Sequence, residues 1–473
     1  MNKYYRYVQL PALCFLLFAF SYMLPSCKKD FFITSAEARL TITADSLKYD
    51  TVFTSTGSIT KSFKIINENS QKLRLSKVKL MGGAASAFKI NINGNPGPEM
   101  DNVEIAANDS IYVFASVTVN PNAANLPFIL SDSILINYNG NDRFVQLEAW
   151  GQNANFLRNK VLTSNITWTN TLPYVILGSV RIDTTATLTI QAGTKIYSHA
   201  DAPFIVDGTL TINGTKNNEV VFAGDRLDYY YKDLPAGWPG IYFRGNSKNN
   251  SLQFAIIKNA YQALVTTGPS INANPKIVLQ QCIIDNAYDA GILAANSSLQ
   301  ANNSLISNCG SNIALIYGGD YTFTNCTAAT YSTNYIVHKN PVLSVSNFAT
   351  QGGSTVLANL NAVFRNCIFW ADNTGFVNDE VVVSKQGSTT FNVLFEKNLY
   401  RGADPANSTL TSNIRNQDPV FDSIDVVKRI FNFRISSPAA PGINKGVATV
   451  YTKDLDNGNR NVGLPDLGCY EKQ

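Results

Sequence analysis

From about residue 160 the chain repeats itself. Ala255-Ile256-Ile257-Lys258-Asn259-Ala260-Tyr261-Gln262-Ala263-Leu264 aligns with Cys282-Ile283-Ile284-Asp285-Asn286-Ala287-Tyr288-Asp289-Ala290-Gly291, apolar on apolar and Asn on Asn, and Ser304-Leu305-Ile306-Ser307-Asn308-Cys309 opens a third copy. Starts at 255, 282, 304 and 326 give steps of 27, 22 and 22 residues, with blurred copies near Cys367 and Lys397. A period in this range means a solenoid. A single coil cannot bury its own apolar side chains, so coils of three short strands must stack, about 4.8 Å apart, to build a continuous core. That arrangement is a right-handed parallel β-helix. A leucine-rich repeat would need a Leu-rich consensus with helical segments, and neither is present. Alternation predicts that Ile257, Ile284 and Ile306 point inward in one row. Asn259, Asn286 and Asn308 fall where the chain turns a corner; Asn tolerates the left-handed backbone required there, and its amide can bond the Asn of the next coil.

The region before the repeats has a different rhythm. Ile111, Val113, Ala115, Val117 and Val119 alternate with Tyr112, Phe114, Ser116 and Thr118, the period of two that a half-buried strand demands. Similar runs at Lys61 to Ile66, Leu73 to Leu80, Ser133 to Tyr138 and Phe144 to Trp150, spaced by Asn, Gly and Pro, predict a β-sandwich over 36–152. Composition agrees. Apolar residues make up 45% of the chain but charged residues only 15%, against about 25% charged in an ordinary soluble protein, and Asn, Ser and Thr fill the polar positions. The segments Phe63-Lys64-Ile65-Ile66-Asn67, Phe88-Lys89-Ile90-Asn91 and Asn108-Asp109-Ser110-Ile111 resemble immunoglobulin-like modules of bacterial envelope and cilium-associated proteins, which implies a spacer or binding platform.

At the N-terminus, Lys3 and Arg6 precede the apolar run Leu10 to Phe20, too short to span a bilayer as a mature helix. Leu24-Pro25-Ser26-Cys27 then resembles the bacterial lipobox, which implies cleavage before Cys27 and lipid on its thiol. The resemblance implies two or three acyl chains, enough for a stable anchor where one chain is marginal. Lys28, where an Asp would retain many Gram-negative lipoproteins in the inner membrane, implies the outer membrane. Lys28-Lys29-Asp30, with one acid, resembles the charged signals that send Bacteroidota lipoproteins to the cell surface.

Within the repeats, Leu188-Thr189-Ile190-Gln191-Ala192-Gly193-Thr194, Phe204-Ile205-Val206-Asp207-Gly208-Thr209-Leu210 and Trp238-Pro239-Gly240-Ile241-Tyr242-Phe243 resemble the opening coils of pectin-lyase-like β-helix proteins. Asp418-Pro419-Val420-Phe421, Ser436-Ser437-Pro438-Ala439 and Asp454-Leu455-Asp456-Asn457-Gly458-Asn459-Arg460 through Pro465-Asp466-Leu467-Gly468-Cys469-Tyr470-Glu471 resemble the closing segment of the choice-of-anchor Q group. The expected organisation is thus a signal peptide (1–26), a lipidated tether (27–35), an Ig-like β-sandwich (36–152), a right-handed parallel β-helix (153–445) and a C-terminal cap (446–473), all-β after the leader.

The resemblance includes lyases, polygalacturonases and esterases, each of which requires its own catalytic groups. A polygalacturonase needs paired aspartates and a Gly-His-Gly segment, but the two histidines are His199, in Ser-His-Ala, and His338, in Val-His-Lys. A lyase needs a base for the uronic carbon and a cation for its carboxylate. Asp285, Asp289 and Asp320 are candidate acids and Lys258, Lys276 and Arg365 candidate bases, without a spacing that joins them. Lys258 and Asp285 occupy equivalent positions one coil apart, as a ladder ion pair would. Asp454, Asp456 and Asn457 resemble a calcium loop, yet Asn459 and Pro465 stand where an EF-hand needs Gly and Glu; Arg460 is expected to pair with Asp466.

Of seven cysteines, Cys14 leaves with the signal and Cys27 is lipidated. Cys282, Cys309, Cys326, Cys367 and Cys469 lack CxxC spacing and are expected as free, buried thiols, with one disulfide, and behind it a metal site, as the alternatives. A net charge of +4 without a basic cluster gives no footprint for nucleic acid. Tyr229, Tyr230, Tyr231 and Trp238, in a loop thrown from the stack, are the candidate ligand-binding residues. The functional expectation is a membrane-anchored envelope lipoprotein without cofactor or metal, a non-catalytic scaffold for polysaccharide or an envelope protein partner. A polysaccharide lyase and a structural adhesin are the alternatives.

Overall fold

The computed structural model describes residues 31–54, 57–120, 128–228, 231–460 and 463–472. Cys27, Tyr229 and Tyr230 lie outside them. The chain is all-β among the described residues apart from one short 3-10 turn, Gly83–Ala85, and divides into two compact units.

The first unit is a sandwich of two sheets. One contains Lys72–Leu80 between Glu99–Ile105 and Phe128–Tyr138; the other contains Ser110–Val117 between Lys61–Asn67 and Phe88–Ile92. The alternation anticipated for residues 111–119 holds. Val113 lies in register with Phe63 on one side and Ile92 on the other, and all three are buried. Tyr112 and Phe114 face outward with their rings stacked 5.6 Å apart.

The second unit is a parallel β-helix, seen as a 26-stranded sheet among the described residues. Its strands form three faces. The first includes Phe204–Val206, Ile241–Phe243 and Gln262–Thr267; the second includes Thr209–Asn213, Asn250–Gln253 and Ile277–Gln280; the third includes Val220–Gly224, Ala255–Lys258 and Ile283–Asp285. One inward row of the third face runs Ile196, Phe222, Ile257, Ile284, Ile306, Ala328, Phe369 and Tyr400, each in register with the next. The row contains the three isoleucines predicted to stack, at 0%, 1% and 0% exposure. The five cysteines 282, 309, 326, 367 and 469 are free and buried.

Asn259, Asn286 and Asn308 all take the left-handed backbone, with φ of 61°, 56° and 50°. The Asn286 amide donates to Asn259 Oδ1 at 2.8 Å, but Asn308 turns to Asp285 Oδ1 at 3.3 Å, so the side-chain ladder stops after one rung. A second left-handed column, unseen in the sequence, runs through Phe254, Gln281, Asn303, Asn325, Asn366, Lys397 and Ser412. Backbone hydrogen bonds join its corners coil to coil, such as Gln281 N to Asn302 O at 3.0 Å, and this ladder holds the turn whatever the side chain.

Strands of the stack end at Ile414–Arg415. Residues 421–435 form an antiparallel hairpin instead. Phe421, Phe431 and Phe433 of that hairpin, with Leu455, Cys469 and Tyr470, pack on Ile283, Leu305 and Ala329, outward residues of the third face. Ile435, Ala440 and Leu467 cover Ile368, Trp370 and Leu399 in the same way. The segment expected to cap the stack therefore lies along its side. Val447 O accepts from Asn366, Tyr451 meets Gln300, Asp454 O accepts from Gln281, and Asp456 reaches Lys216 at 2.8 Å. The cause is legible in Cys282-Ile283-Ile284, where consecutive apolar residues make the strand apolar on both faces, so its outer face must also be covered.

Candidate functional site

The chain's own C-terminal segment covers the third face from Ile283 onward, which leaves the first and second faces to consider. The second is polar: Thr189, Thr211 and Ser251 follow one another in register along it. The first carries a concavity.

Strands Phe204–Val206, Ile241–Phe243 and Gln262–Thr267 bring Ile205, Tyr242 and Val265 into one outward row, with Arg181 at its head. Pro203 and Pro239 border that row, and with Ile205, Tyr242 and Val265 they line a cleft of about 510 Å³ that also reaches Phe243, Arg244 and Thr267. The volume suits a small ligand or a few sugar units. Gly240 makes the close approach of the coils possible here: a Cβ would meet Gln262 O at 1.6 Å, and φ is 125°. Tyr242 donates its hydroxyl to Pro239 O at 3.1 Å, which fixes the ring on the cleft floor. Burial raises the Tyr242 pKa, and nearby Tyr261 and Asp289 raise it further.

One rim is aromatic. Tyr261 and Tyr288 sit at equivalent corners of successive coils, 45% and 51% exposed, with rings 5.9 Å apart and 26° from parallel. Gln262 Nε2 donates to Asp289 Oδ2 at 2.7 Å beside them. In the next coil the corner residue is Gly310, whose missing side chain leaves room for the backbone at Tyr288 O. The other rim is a charge ladder. Asp207, 8% exposed in its side chain, lies between Arg244, which binds both its oxygens, and Arg181 Nε at 3.0 Å; Arg181 also reaches Asp183 at 2.9 Å. The Arg244 guanidinium holds the Asp207 carboxyl below the usual carboxylate range.

The residues anticipated as a ligand contact fare differently. Trp238 is 1% exposed, stacked on Phe222 at 6.3 Å with Nε1 donating to Lys258 O, so it is a core residue and offers no ring to a ligand. Tyr231 is exposed, with the Arg226 guanidinium 3.8 Å above its ring. Tyr242 on the cleft floor and the Tyr261–Tyr288 pair beside it were missed. The signal was present: the aligned copies Asn259-Ala260-Tyr261 and Asn286-Ala287-Tyr288 put a tyrosine at the same corner twice.

The candidate acids and bases do not converge. Lys258 and Asp285 are neighbours in register as anticipated, but the Asp285 carboxylate accepts from Ser307 Oγ at 2.7 Å and from Asn308, not from Lys258. Burial raises its pKa, while Ser307, Asn308 and the charges of Lys258 and Arg429 pull it back. Asp320 and Arg365 lie on the second face, Arg365 paired with Glu396 at 2.6 Å. Asp289 stands at the aromatic rim.

Lys276 is wholly buried, and its ammonium donates to the carbonyls of Arg244, Gly245, Thr267 and Gly268 at 2.7–3.4 Å. Desolvation lowers its pKa to about 8. It ties two turns together beneath the cleft and is inaccessible to a substrate.

His199 Nδ1 and Asp225 Oδ2 are 2.7 Å apart at equivalent positions of adjacent coils, and burial raises the Asp225 pKa. The pair orients the imidazole at the root of the 226–238 loop. His338 is buried against Glu380 at 3.0 Å, and Arg401 also binds that carboxylate. Arg460 pairs with Glu471 at 3.4 Å, not with the Asp466 carboxylate as anticipated; it reaches the Asp466 backbone carbonyl, while the Asp466 carboxylate accepts from Asn444 N and Lys472 N. In the calcium-loop resemblance, Asp454 accepts from Gly458 N and Glu471 N, and Asp456 is held by Arg434 and Lys216. Among the described residues no three His, Cys, Asp or Glu side chains converge as a metal site.

Comparison with known proteins agrees with the architecture. Residues 160–269 match a family model described as a pectate-lyase like β-helix domain, a stretch that contains the cleft strands through Thr267. No curated protein matches the chain. A similar solved structure, reported for glycolipid glycan hydrolysis by a family 123 glycoside hydrolase from Clostridium perfringens, shares 10% identity at a TM-score of 0.18. The alignment covers 24% of this chain and 27% of that one, an overlap too slight to bear on fold or activity.

Proposed function

We propose that this protein is a non-catalytic glycan-binding scaffold, tethered to the outer membrane through lipid on Cys27, with the sandwich as an Ig-like spacer. The observation that carries the binding role is the first-face cleft: an apolar floor of Ile205, Tyr242 and Val265 beside the exposed Tyr261–Tyr288 stack. Sugars bind through such a combination, an aromatic or apolar surface against the C–H face of the ring and a few placed polar groups for orientation. The scattering of Lys258, Lys276, Arg365 and the three candidate aspartates over separate places in the stack favours binding over lyase chemistry.

A polysaccharide panel assayed both for retention of the protein and for unsaturated product absorbance tests the reading. Binding without product is the expected result. Product formation abolished by Lys258→Ala or Arg365→Ala in a folded variant would establish the lyase instead. For the anchor, fatty-acid labelling should mark the wild type and not Cys27→Ala; label on the variant contradicts it.

A further inference from the structure

We propose that the first-face cleft selects uncharged sugars and turns polyuronates away. The inference rests on the glycan reading above and names its ligand class.

A chain of uronates carries one carboxylate per sugar, and a site that takes it must offer cations that are free to receive them. The cleft has cations, but they are already matched. Arg244 makes a two-point contact with Asp207, its Nε at 2.6 Å from Oδ1. Arg181 is divided between Asp207 at 3.0 Å and Asp183 at 2.9 Å. Two guanidiniums thus face two carboxylates within the protein. The remaining cation beneath the cleft, Lys276, turns its ammonium to four backbone carbonyls and is wholly buried.

On the acid side, Asp289 stands at the aromatic rim with an amide, Gln262, as its hydrogen-bond donor, and Asp201 is exposed two residues before Pro203. With both arginines matched and Lys276 buried on carbonyls, the exposed charge beside the tyrosines is acidic. A polyuronate would meet the Asp289 carboxylate beside the tyrosines, and each guanidinium it reached would already carry a carboxylate partner, so the contact adds little net attraction. A neutral sugar needs neither. It gains the tyrosine faces and the apolar floor, with the amide of Gln262 and the remaining guanidinium N–H groups available to hydroxyls.

Binding of the full protein to soluble β-glucan and galactomannan, compared with polygalacturonate of similar length, tests this directly. At least one neutral polymer should bind, and polygalacturonate should bind at least about tenfold more weakly at low salt. Asp207→Asn, which releases Arg244 and leaves Arg181 with Asp183 alone, should raise polygalacturonate binding in a salt-sensitive manner while leaving neutral binding little changed.

Polygalacturonate binding as tight as that of the neutral polymers, and lost in Tyr288→Ala, would overturn the selectivity and leave the glycan reading intact. An Asp207→Asn variant that melts like the wild type yet gains nothing for polygalacturonate would also overturn it. Should Asp207→Asn fail to fold, the wild-type ratio decides alone. Absence of binding to all three polymers would overturn the glycan reading and this inference together.

Discussion

Tyr261 and Tyr288, one coil apart, present stacked rings 5.9 Å from centroid to centroid because the Trp238 and Ala260 carbonyls receive their backbone N–H groups at 2.7 and 3.0 Å. Two exposed aromatic rings held by a backbone ladder form a surface that is ordered before any ligand arrives, and this rigidity reduces the entropy lost on binding.

The stack that positions them is tested through its inward row. Ile284 lies between Ile257 and Ile306 in register and is 1% exposed. Ile284→Asp places an unpaired carboxylate in that row and should cost several kcal/mol or abolish folding. Thermal melting measures it, and a melting point within a degree or two of the wild type contradicts the register.

The covered third face makes a separate prediction. Phe433 is 3% exposed and packs with Phe421, Tyr331 and Phe431 over the outer residues of that face. Phe433→Ala should cost about 3–5 kcal/mol, concentrated in the C-terminal segment. Hydrogen exchange should quicken across 421–472 while the second-face strand Ile277–Gln280 keeps its protection. Equal acceleration throughout would show that the hairpin and the stack unfold as one unit.

Much of this architecture was legible because a β-helix is quasi-one-dimensional and its repeats declare themselves in the sequence. Ile257, Ile284 and Ile306 stand at matching positions of copies that align residue for residue. The second left-handed column does not declare itself in this way, because Phe254 and Lys397 occupy it and neither residue advertises that conformation. Trp238 was misplaced for a related reason: within a polar loop it reads as an exposed aromatic, whereas the coil folds it back onto Phe222. The cleft was hidden because its residues, Ile205, Tyr242 and Val265, are far apart in sequence and meet only through inter-coil register. The lateral course of the closing segment depends on contacts such as Asp456 with Lys216, 240 residues apart, which no local pattern encodes.

Lys276 gives a pH dependence with a definite sign. Desolvation lowers its folded pKa from 10.5 to about 8. Below pH 8 the ammonium is present in both folded and unfolded chains, and the folded state bears its burial. As pH rises from about 8 towards 10.5, the unfolded chain binds more protons than the folded one, so stability increases. Relative to Lys276→Met, the wild type should gain up to about 3 kcal/mol over that window. Denaturant melts of both proteins at pH 7 and pH 10 measure the gap; a gap that does not change with pH contradicts the assignment.

The central claim, that the first-face cleft is where glycan binds, is tested most directly by comparing two double variants for affinity towards a polysaccharide that the wild type retains. Tyr261→Ala/Tyr288→Ala removes the aromatic rim, and Asn361→Ala/Asn392→Ala removes a hydrogen-bonded pair from the second face. The account predicts that the tyrosine variant binds at least about tenfold more weakly with its fold intact, and that the asparagine variant binds like the wild type. Unchanged affinity in the tyrosine variant, with loss in the asparagine variant, would move the site to the second face and contradict it.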